Sequence, residues 1–137
     1  IPRYISIKEY DVSVTKDDKE KIISKAKANL EVDGEKIVCE GEGNGPVHAL
    51  DNAIRKNVDK IGKYSEYLKD LKLVDYKVRI LNTGTEAVTR VSIESTDSQG
   101  KNWFTIGVSA NIIDASFKAL IDSLDYKLFK DKAPASL

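Results

Sequence analysis

Several residue types are scarce in this sequence, and each scarcity excludes a class of protein. Among 137 residues there is one cysteine, one histidine and no methionine. A lone Cys39 cannot form an internal disulfide bond, which is typical of the reducing cytosol, so we expect a cytoplasmic protein. No apolar run approaches the roughly 18 residues that cross a bilayer, and no signal peptide opens the chain. Because the chain begins Ile1-Pro2 rather than with Met, we expect it to be part of a longer protein.

The chain also lacks an excess of charge of either sign. Its 22 basic residues balance 22 acidic residues, so no basic surplus is available to neutralise phosphates, and we expect no nucleic-acid partner. Hydrophobic residues make up 41% and charged residues 32%, which is typical of a globular domain. A chain of this length can bury one core, so we predict a single domain over residues 1–137.

Histidine and cysteine, which build most metal and nucleophilic sites, occur only as His48 and Cys39. Two such ligands are too few for a zinc site, which needs three or four protein ligands. A nucleophilic Cys-His pair would require hydrogen-bond contact, and we favour the alternative of a buried thiol and a surface or interface histidine. The carboxylates are scattered among lysines. We therefore predict no catalytic residue, no metal ligand and no cofactor in this chain.

A glycine-rich segment over residues 41–46 reads Gly-Glu-Gly-Asn-Gly-Pro and precedes a predicted helix. Its spacing is neither the dinucleotide pattern GxGxxG nor a phosphate-binding loop with Gly-Lys-Ser/Thr. We favour a tight turn from a strand into a helix over a nucleotide site. A small carboxylate could still bind at the start of that helix, where backbone N–H groups lack partners.

Two segments have the three- and four-residue apolar spacing of amphipathic helices. The first carries Val47, Leu50, Ile54, Val58 and Ile61. The second carries Ile113, Phe117, Leu120, Leu124 and Leu128. Pro46 suits the first turn of the first helix, because its missing N–H would have no intrahelical partner there. Ser109 is expected to cap the second helix.

Six other segments alternate apolar and polar residues as strands do, over residues 4–15, 25–32, 35–41, 73–81, 87–95 and 103–108. Asp33-Gly34 predicts a tight turn between the second and third strands, and Gln99-Gly100 lies at the matching place in the second half. Three strands followed by a helix therefore occur twice. We predict an α+β fold of two repeated βββα units, about 4–62 and 73–129, packed as one domain, with 62–72 as the joint and 130–137 as a flexible tail.

Three blocks of this sequence, in this order, resemble the regulatory domain of the citramalate synthases and 2-isopropylmalate synthases. They are GNGPVHAL at 43–50, LVDYKVRI at 73–80 with GTEA at 84–87, and WFTIGVSANIIDAS at 103–116. The last block resembles the citramalate synthase branch more closely. The resemblance implies two βββα units that dimerise, which agrees with the fold predicted from the residues.

The resemblance also implies a function. Domains of this family bind the end product of their pathway for feedback inhibition, isoleucine for citramalate synthases and leucine for 2-isopropylmalate synthases. The expected partners are a second copy of the chain, a branched-chain amino acid (L-isoleucine favoured, L-leucine next) and an N-terminal catalytic barrel. That barrel, an acyltransferase, would use a divalent metal and acetyl-CoA, and this chain would not itself catalyse the condensation.

An effector pocket is implied between the start of the first helix, the strand near Leu73 and the start of the second helix. The contact positions implied by the resemblance are Val47, His48, Leu73, Tyr76, Ile80, Thr85, Ala87, Thr89, Ala110 and Ile112. Leu73, Tyr76, Ile80 and Ile112 would form an apolar cup for the branched side chain. The helix starts would offer N–H donors to the effector carboxylate, and Thr85 with backbone carbonyls would accept from its ammonium.

Two other functions remain open at this point. A purely structural homodimerisation domain would share the fold and both helices but bind no ligand. A small thiol-dependent enzyme would use Cys39 and His48, and a Cys39→Ser change would abolish its activity while leaving a regulatory function intact.

Overall fold

The computed structural model describes residues 4–32, 34–57, 64–83 and 86–131. Their strands are β1 (Ile5–Lys16), β2 (Ile22–Val32), β3 (Glu35–Gly43), β4 (Lys72–Thr83), β5 (Glu86–Thr96) and β6 (Asn102–Ser109). Their helices are α1 (Pro46–Lys56), α2 (Ser65–Leu68) and α3 (Ile112–Lys130). The order of three strands and a long helix, twice over, confirms the predicted α+β fold of two βββα units.

The strands form two antiparallel sheets, β1-β2-β3 and β4-β5-β6. Alternation along each strand decides which face is buried, as β2 illustrates with buried Ala26, Ala28, Leu30 and Val32 and more exposed residues between them. Helix α1 covers the inner face of β2 and β3, while α3 covers that of β5 and β6. The two helices also pack against each other, so one core joins the two halves.

Helix α3 is buried on nearly every side, unlike α1, which presents one buried stripe. Besides its own sheet, α3 contacts α1, α2 and β1. On the β1 side, the carboxylate of Asp125 accepts hydrogen bonds from the backbone N–H groups of Tyr4 and Ile5 at 3.1 and 3.0 Å. Because most of its faces are buried, α3 packs against elements of both halves of the domain.

The two halves repeat each other in detail. A Cβ atom added at Gly41 would overlap the backbone of Ala53, and one at Gly107 would overlap the backbone of Ala115, so each helix lies directly on a glycine of its sheet. The edge strands β1 and β4 both carry a register irregularity, at Ile7/Glu9 and at Leu73/Asp75. The matching hairpin turns carry Gly34 and Gly100, whose φ angles are positive at 78° and 77°. All these pairs have the same separation along the chain, which supports the predicted duplication.

Several local predictions require correction or lie outside the described residues. The N-cap of α3 is Asn111 rather than Ser109, because α3 begins at Ile112; the Ser109 hydroxyl instead accepts from the Asn111 N–H at 3.2 Å. The joint over 62–72 contains the short helix α2, which the apolar spacing did not indicate. Lys130 ends α3, while residues 132–137, Asp33, Val58 and Ile61 fall outside the described ranges.

Candidate functional site

A cleft of about 520 Å³ lies between the start of α1 and the start of β4. We call it the α1–β4 cleft, and its lining includes Val47, His48, Asp51, Arg55, Leu73 and Tyr76. Four of these six are residues that the sequence placed at the effector site. The turn from β3 into α1 and the register irregularity at the start of β4 bring them together, although they are far apart in the chain.

The start of α1 is open toward the α1–β4 cleft. Its N-cap is Gly45, in extended conformation, which has no side chain to accept hydrogen bonds from the first turn. Pro46 follows, and the Ala49 N–H already donates to the Gly45 carbonyl at 2.9 Å. The N–H groups of Val47 and His48 precede the first intrahelical bond and carry the positive end of the helix dipole. This end of the cleft therefore suits an anionic group.

An ion pair forms the floor of the same cleft. Arg55 Nε donates to Asp51 Oδ2 at 2.9 Å, one turn away on α1, and its Nη2 donates to the carbonyl of Leu71, just before β4. Asp51 is only 8% exposed. The pair thus ties α1 to the strand that carries Leu73 and Tyr76. Sequence reasoning missed it, although the i,i+4 spacing of an acid and a base on one helix was a visible signal.

His48 and Cys39 do not form a nucleophilic pair. The Asn44 N–H donates to His48 Nδ1 at 3.5 Å, and the Asn52 amide lies 3.4 Å from Nε2, so the imidazole contacts the turn that precedes α1. His48 packs over Gly43, which lies four positions along β3, about 13 Å of strand, from the buried Cys39. The pairing that a thiol enzyme would need is therefore not formed.

The other predicted contact residues that the structure describes lie on β4, on β5 and at or just before the start of α3. Ile80 pairs with Thr89, and Ala87 lies two residues before Thr89 on β5, so these residues share a face of the sheet with Tyr76. Thr89 is buried, whereas Ile80, Ala87, Ala110 and Ile112 are exposed, and Thr85 lies outside the described residues. The structure therefore brings Val47, His48, Leu73 and Tyr76 into one cleft, and the other described contact residues lie outside it.

Tyr76 connects these two groups of predicted residues. The Ser116 hydroxyl donates to the Ile112 carbonyl at 2.7 Å, so its oxygen accepts from the Tyr76 hydroxyl at 2.9 Å. The tyrosine side chain thereby reaches from the α1–β4 cleft to the first turn of α3. Its hydrogen bond is one that a phenylalanine could not make.

Beyond Tyr76, the inner face of β4 is apolar and uncovered. Tyr76, Val78 and Ile80 are 41%, 40% and 66% exposed, and we call these three residues the β4 strip. Their partners on β5, Ile93, Val91 and Thr89, are buried, and α3 packs mainly on β5 and β6 rather than on β4. A contiguous exposed apolar face of this kind is typical of an interaction surface.

A buried charge cluster lies at the opposite end of α3, where it ties together the joint before β4 and the β5–β6 turn. Lys127, 1% exposed, has its ammonium 3.1 Å from Asp70 and 3.0 Å from Asp97, and it also pairs with Asp131. Burial raises the pKa of Asp97, but hydrogen bonds from Lys130 and Lys127 outweigh that effect and lower the pKa to about 2. We call Asp70, Asp97, Lys127, Lys130 and Asp131 the Lys127 cluster, and these residues link the C-terminal end of α3 to the joint before β4 and to the β5–β6 turn.

The ranges that the structure describes contain neither a metal-binding cluster nor a membrane-spanning helix. No group of three or more His, Cys, Asp or Glu side chains there is arranged to hold a metal ion. In the same ranges, no helix is both long and apolar enough to cross a membrane.

Comparison with known proteins identifies relatives over nearly the whole chain. The family described as the LeuA allosteric (dimerisation) domain matches residues 2–128. The chain is 48% identical over 115 residues to an (R)-citramalate synthase of Geobacter sulfurreducens, and 50% identical over 111 residues to that of Aquifex aeolicus. These alignments cover 82% and 80% of this chain. A 2-isopropylmalate synthase of Clostridium acetobutylicum is 34% identical over 127 residues, or 90% of the chain. The chain spans about one fifth of the length of each relative, 20–21%.

Proposed function

The chain belongs to the LeuA allosteric (dimerisation) domain family, and we propose that it binds a branched-chain amino acid as the feedback effector of a citramalate synthase. We favour L-isoleucine over L-leucine, because the relatives named above include citramalate synthases at 48% and 50% identity and a 2-isopropylmalate synthase at 34%. The observation that carries the proposal is the α1–β4 cleft, which combines an open helix start with apolar and charged walls.

Each part of a branched-chain amino acid has a counterpart in this cleft. The effector carboxylate would accept hydrogen bonds from the free N–H groups at the start of α1, near the cation of Lys72. The forked hydrocarbon would lie against Leu73 and the ring of Tyr76. One methyl position distinguishes isoleucine from leucine, and such a difference is worth roughly 1–3 kcal/mol in a closely fitting pocket.

The effector is expected to act by a shift between conformations. It must bind the inhibited arrangement more tightly than the active one, because equal affinity for both would change nothing. Allosteric coupling of this kind typically amounts to about 1–3 kcal/mol. The parent enzyme would be an acyltransferase whose catalytic part holds the divalent metal and acetyl-CoA, outside the residues of this chain.

We also propose that the partner in the assembly is a second copy of the chain, which covers the β4 strip. Ile80, 66% exposed, would then be buried between copies. Replacing Ile80 with Lys should shift sedimentation toward the monomer, whereas Arg79→Ala, on the opposite face of β4, should not. An Ile80→Lys variant that sediments like the wild type would place the interface elsewhere.

Calorimetric titration of the 137-residue chain with L-isoleucine, L-leucine and L-valine tests the effector proposal. We expect saturable heat with isoleucine or leucine, and a rise in melting temperature at millimolar amino acid, because a ligand that binds only the folded state stabilises it. A dimer that shows neither heat nor a melting shift with any of the three would instead be a purely structural homodimerisation domain.

A further inference from the structure

We propose that Asp51 is the residue that accepts the ammonium group of the effector in the α1–β4 cleft, an inference that rests on the function proposed above. The motivating observation is the charge of the cleft wall. Among the described residues that line it, Asp51 is the one carboxylate, while Arg55 and Lys72 are cations. An amino-acid ammonium would be repelled by those two cations and attracted to Asp51.

The spacing along α1 matches the two charges of an α-amino acid. The free N–H group of His48 and the carboxylate of Asp51 are three residues apart, which is about 4.5 Å of helix rise. Helical side chains lean toward the N-terminus, so the Asp51 carboxylate is brought closer to the open first turn. A zwitterion whose carboxylate bonds to the first turn therefore presents its ammonium on the Asp51 side.

Asp51 is also preorganised for this contact. Its Oδ2 atom accepts from Arg55 Nε at 2.9 Å, which fixes the orientation of the carboxylate, and a carboxylate retains further acceptor positions. Because the residue is 8% exposed, water competes weakly for those positions. His48 is less suited to the role, since its Nδ1 lies against the Asn44 N–H in the turn before α1 and its Nε2 lies against the Asn52 amide one turn along the helix.

The test compares ligands with and without an ammonium group. L-Isoleucine and 3-methylpentanoate, which lacks only the ammonium, are titrated into the wild-type chain and into Asp51→Asn and Asp51→Glu variants. We expect Asp51→Asn to weaken isoleucine binding at least roughly tenfold and to leave 3-methylpentanoate binding within about twofold. Asp51→Glu keeps a carboxylate and should recover part of the isoleucine affinity.

Two control variants separate recognition from structure. Asp114→Asn removes a carboxylate near the start of α3, outside the α1–β4 cleft, and should leave isoleucine binding unchanged. Arg55→Gln breaks the ion pair but keeps the Asp51 carboxylate, so isoleucine should still bind more tightly than 3-methylpentanoate.

The outcomes distinguish this inference from the proposed function. If the wild type binds isoleucine and Asp51→Asn binds it equally well, Asp51 does not accept the ammonium, although the effector site stands. Equal weakening of both ligands by Asp51→Asn would make Asp51 a structural residue of the cleft and overturn the inference. No binding of isoleucine, leucine or valine by the wild type would overturn the effector proposal and this inference together.

Discussion

The two halves of the domain share one architecture but differ at the starts of their long helices. The α1–β4 cleft has a counterpart of about 570 Å³ in the other half of the domain, formed by α3 with β1 and β6. Tyr10 occupies the position in this counterpart cleft that Tyr76 occupies in the α1–β4 cleft. Both tyrosines follow the register irregularity of an edge strand, and both hydroxyls bond to α3, Tyr10 to Asp114 at 3.4 Å and Tyr76 to Ser116 at 2.9 Å.

In the counterpart cleft the helix start is already satisfied. The side chain of Asn111 accepts from the N–H groups of Ile113 and Asp114 at 2.8 and 3.1 Å, and Asp114 adds a negative charge in the first turn. Phe117, packed edge-on against Tyr10 with ring centroids 4.7 Å apart, occupies the position that Asp51 has in α1. The two halves therefore share one scaffold, but α1 begins without a side-chain cap, whereas the start of α3 is capped by Asn111.

The largest expected effect on the free energy of unfolding concerns the Lys127 cluster, at the C-terminal end of α3. Replacing Lys127 with Met would leave Asp97, whose side chain is 0% exposed, without one of its buried cations. Breaking a buried pair by removing one partner typically costs about 3–5 kcal/mol, and we expect a loss of that size in chemical denaturation. Lys118→Met on the exposed face of α3 is the control and should change stability little. A Lys127→Met variant as stable as this control would mean that the cluster contributes nothing.

The matched glycines test whether the two halves are equally close-packed. Gly107→Ala and Gly41→Ala each force a methyl group into helix backbone, and we expect both to lower the free energy of unfolding by about 2–3 kcal/mol. Gly45→Ala, where the added Cβ meets no atom within 4 Å, should cost less than about 1 kcal/mol. Equal urea midpoints for all three variants would show that the close approach of helix and sheet is not a constraint.

Lowering the pH should reduce the free energy of unfolding, because the carboxylate of Asp97 becomes protonated. Its pKa is lowered from 3.8 to about 2 in the folded chain, so the carboxylate stabilises the fold above the unfolded pKa. That contribution, about 2 kcal/mol, should be lost as the pH falls from about 5 through 2. The difference in unfolding free energy between wild type and Asp97→Asn should shrink over this range, as measured by urea titration at several pH values. A difference that does not vary with pH would contradict the lowered pKa.

The smallest effects on stability concern the starts of α1 and α3. Asn111→Ala removes the cap of α3 and should cost about 1 kcal/mol. Gly45→Ser gives α1 a cap of its own and should stabilise the chain by a few tenths of a kcal/mol. Because the new hydroxyl would occupy the free N–H groups, the same variant should bind isoleucine more weakly in calorimetry. Unchanged isoleucine affinity in Gly45→Ser would place the effector carboxylate away from the start of α1.

Local patterns in the chain were sufficient to predict both long helices, six strands, the duplication and the family. Periodicity is a property of neighbouring residues, and the burial of Ala26, Ala28 and Leu30 along β2 follows it directly. The three matching blocks also placed Val47, His48, Leu73 and Tyr76 together, which the structure brings into one cleft.

Tertiary structure alone decided the features that depend on distant partners. Arg55 reaches the Leu71 carbonyl across 16 residues, and Lys127 reaches Asp97 across 30, so no local window reveals either contact. Sequence spacing specifies which face a residue occupies, whereas the partner on that face is set only when the two halves pack together.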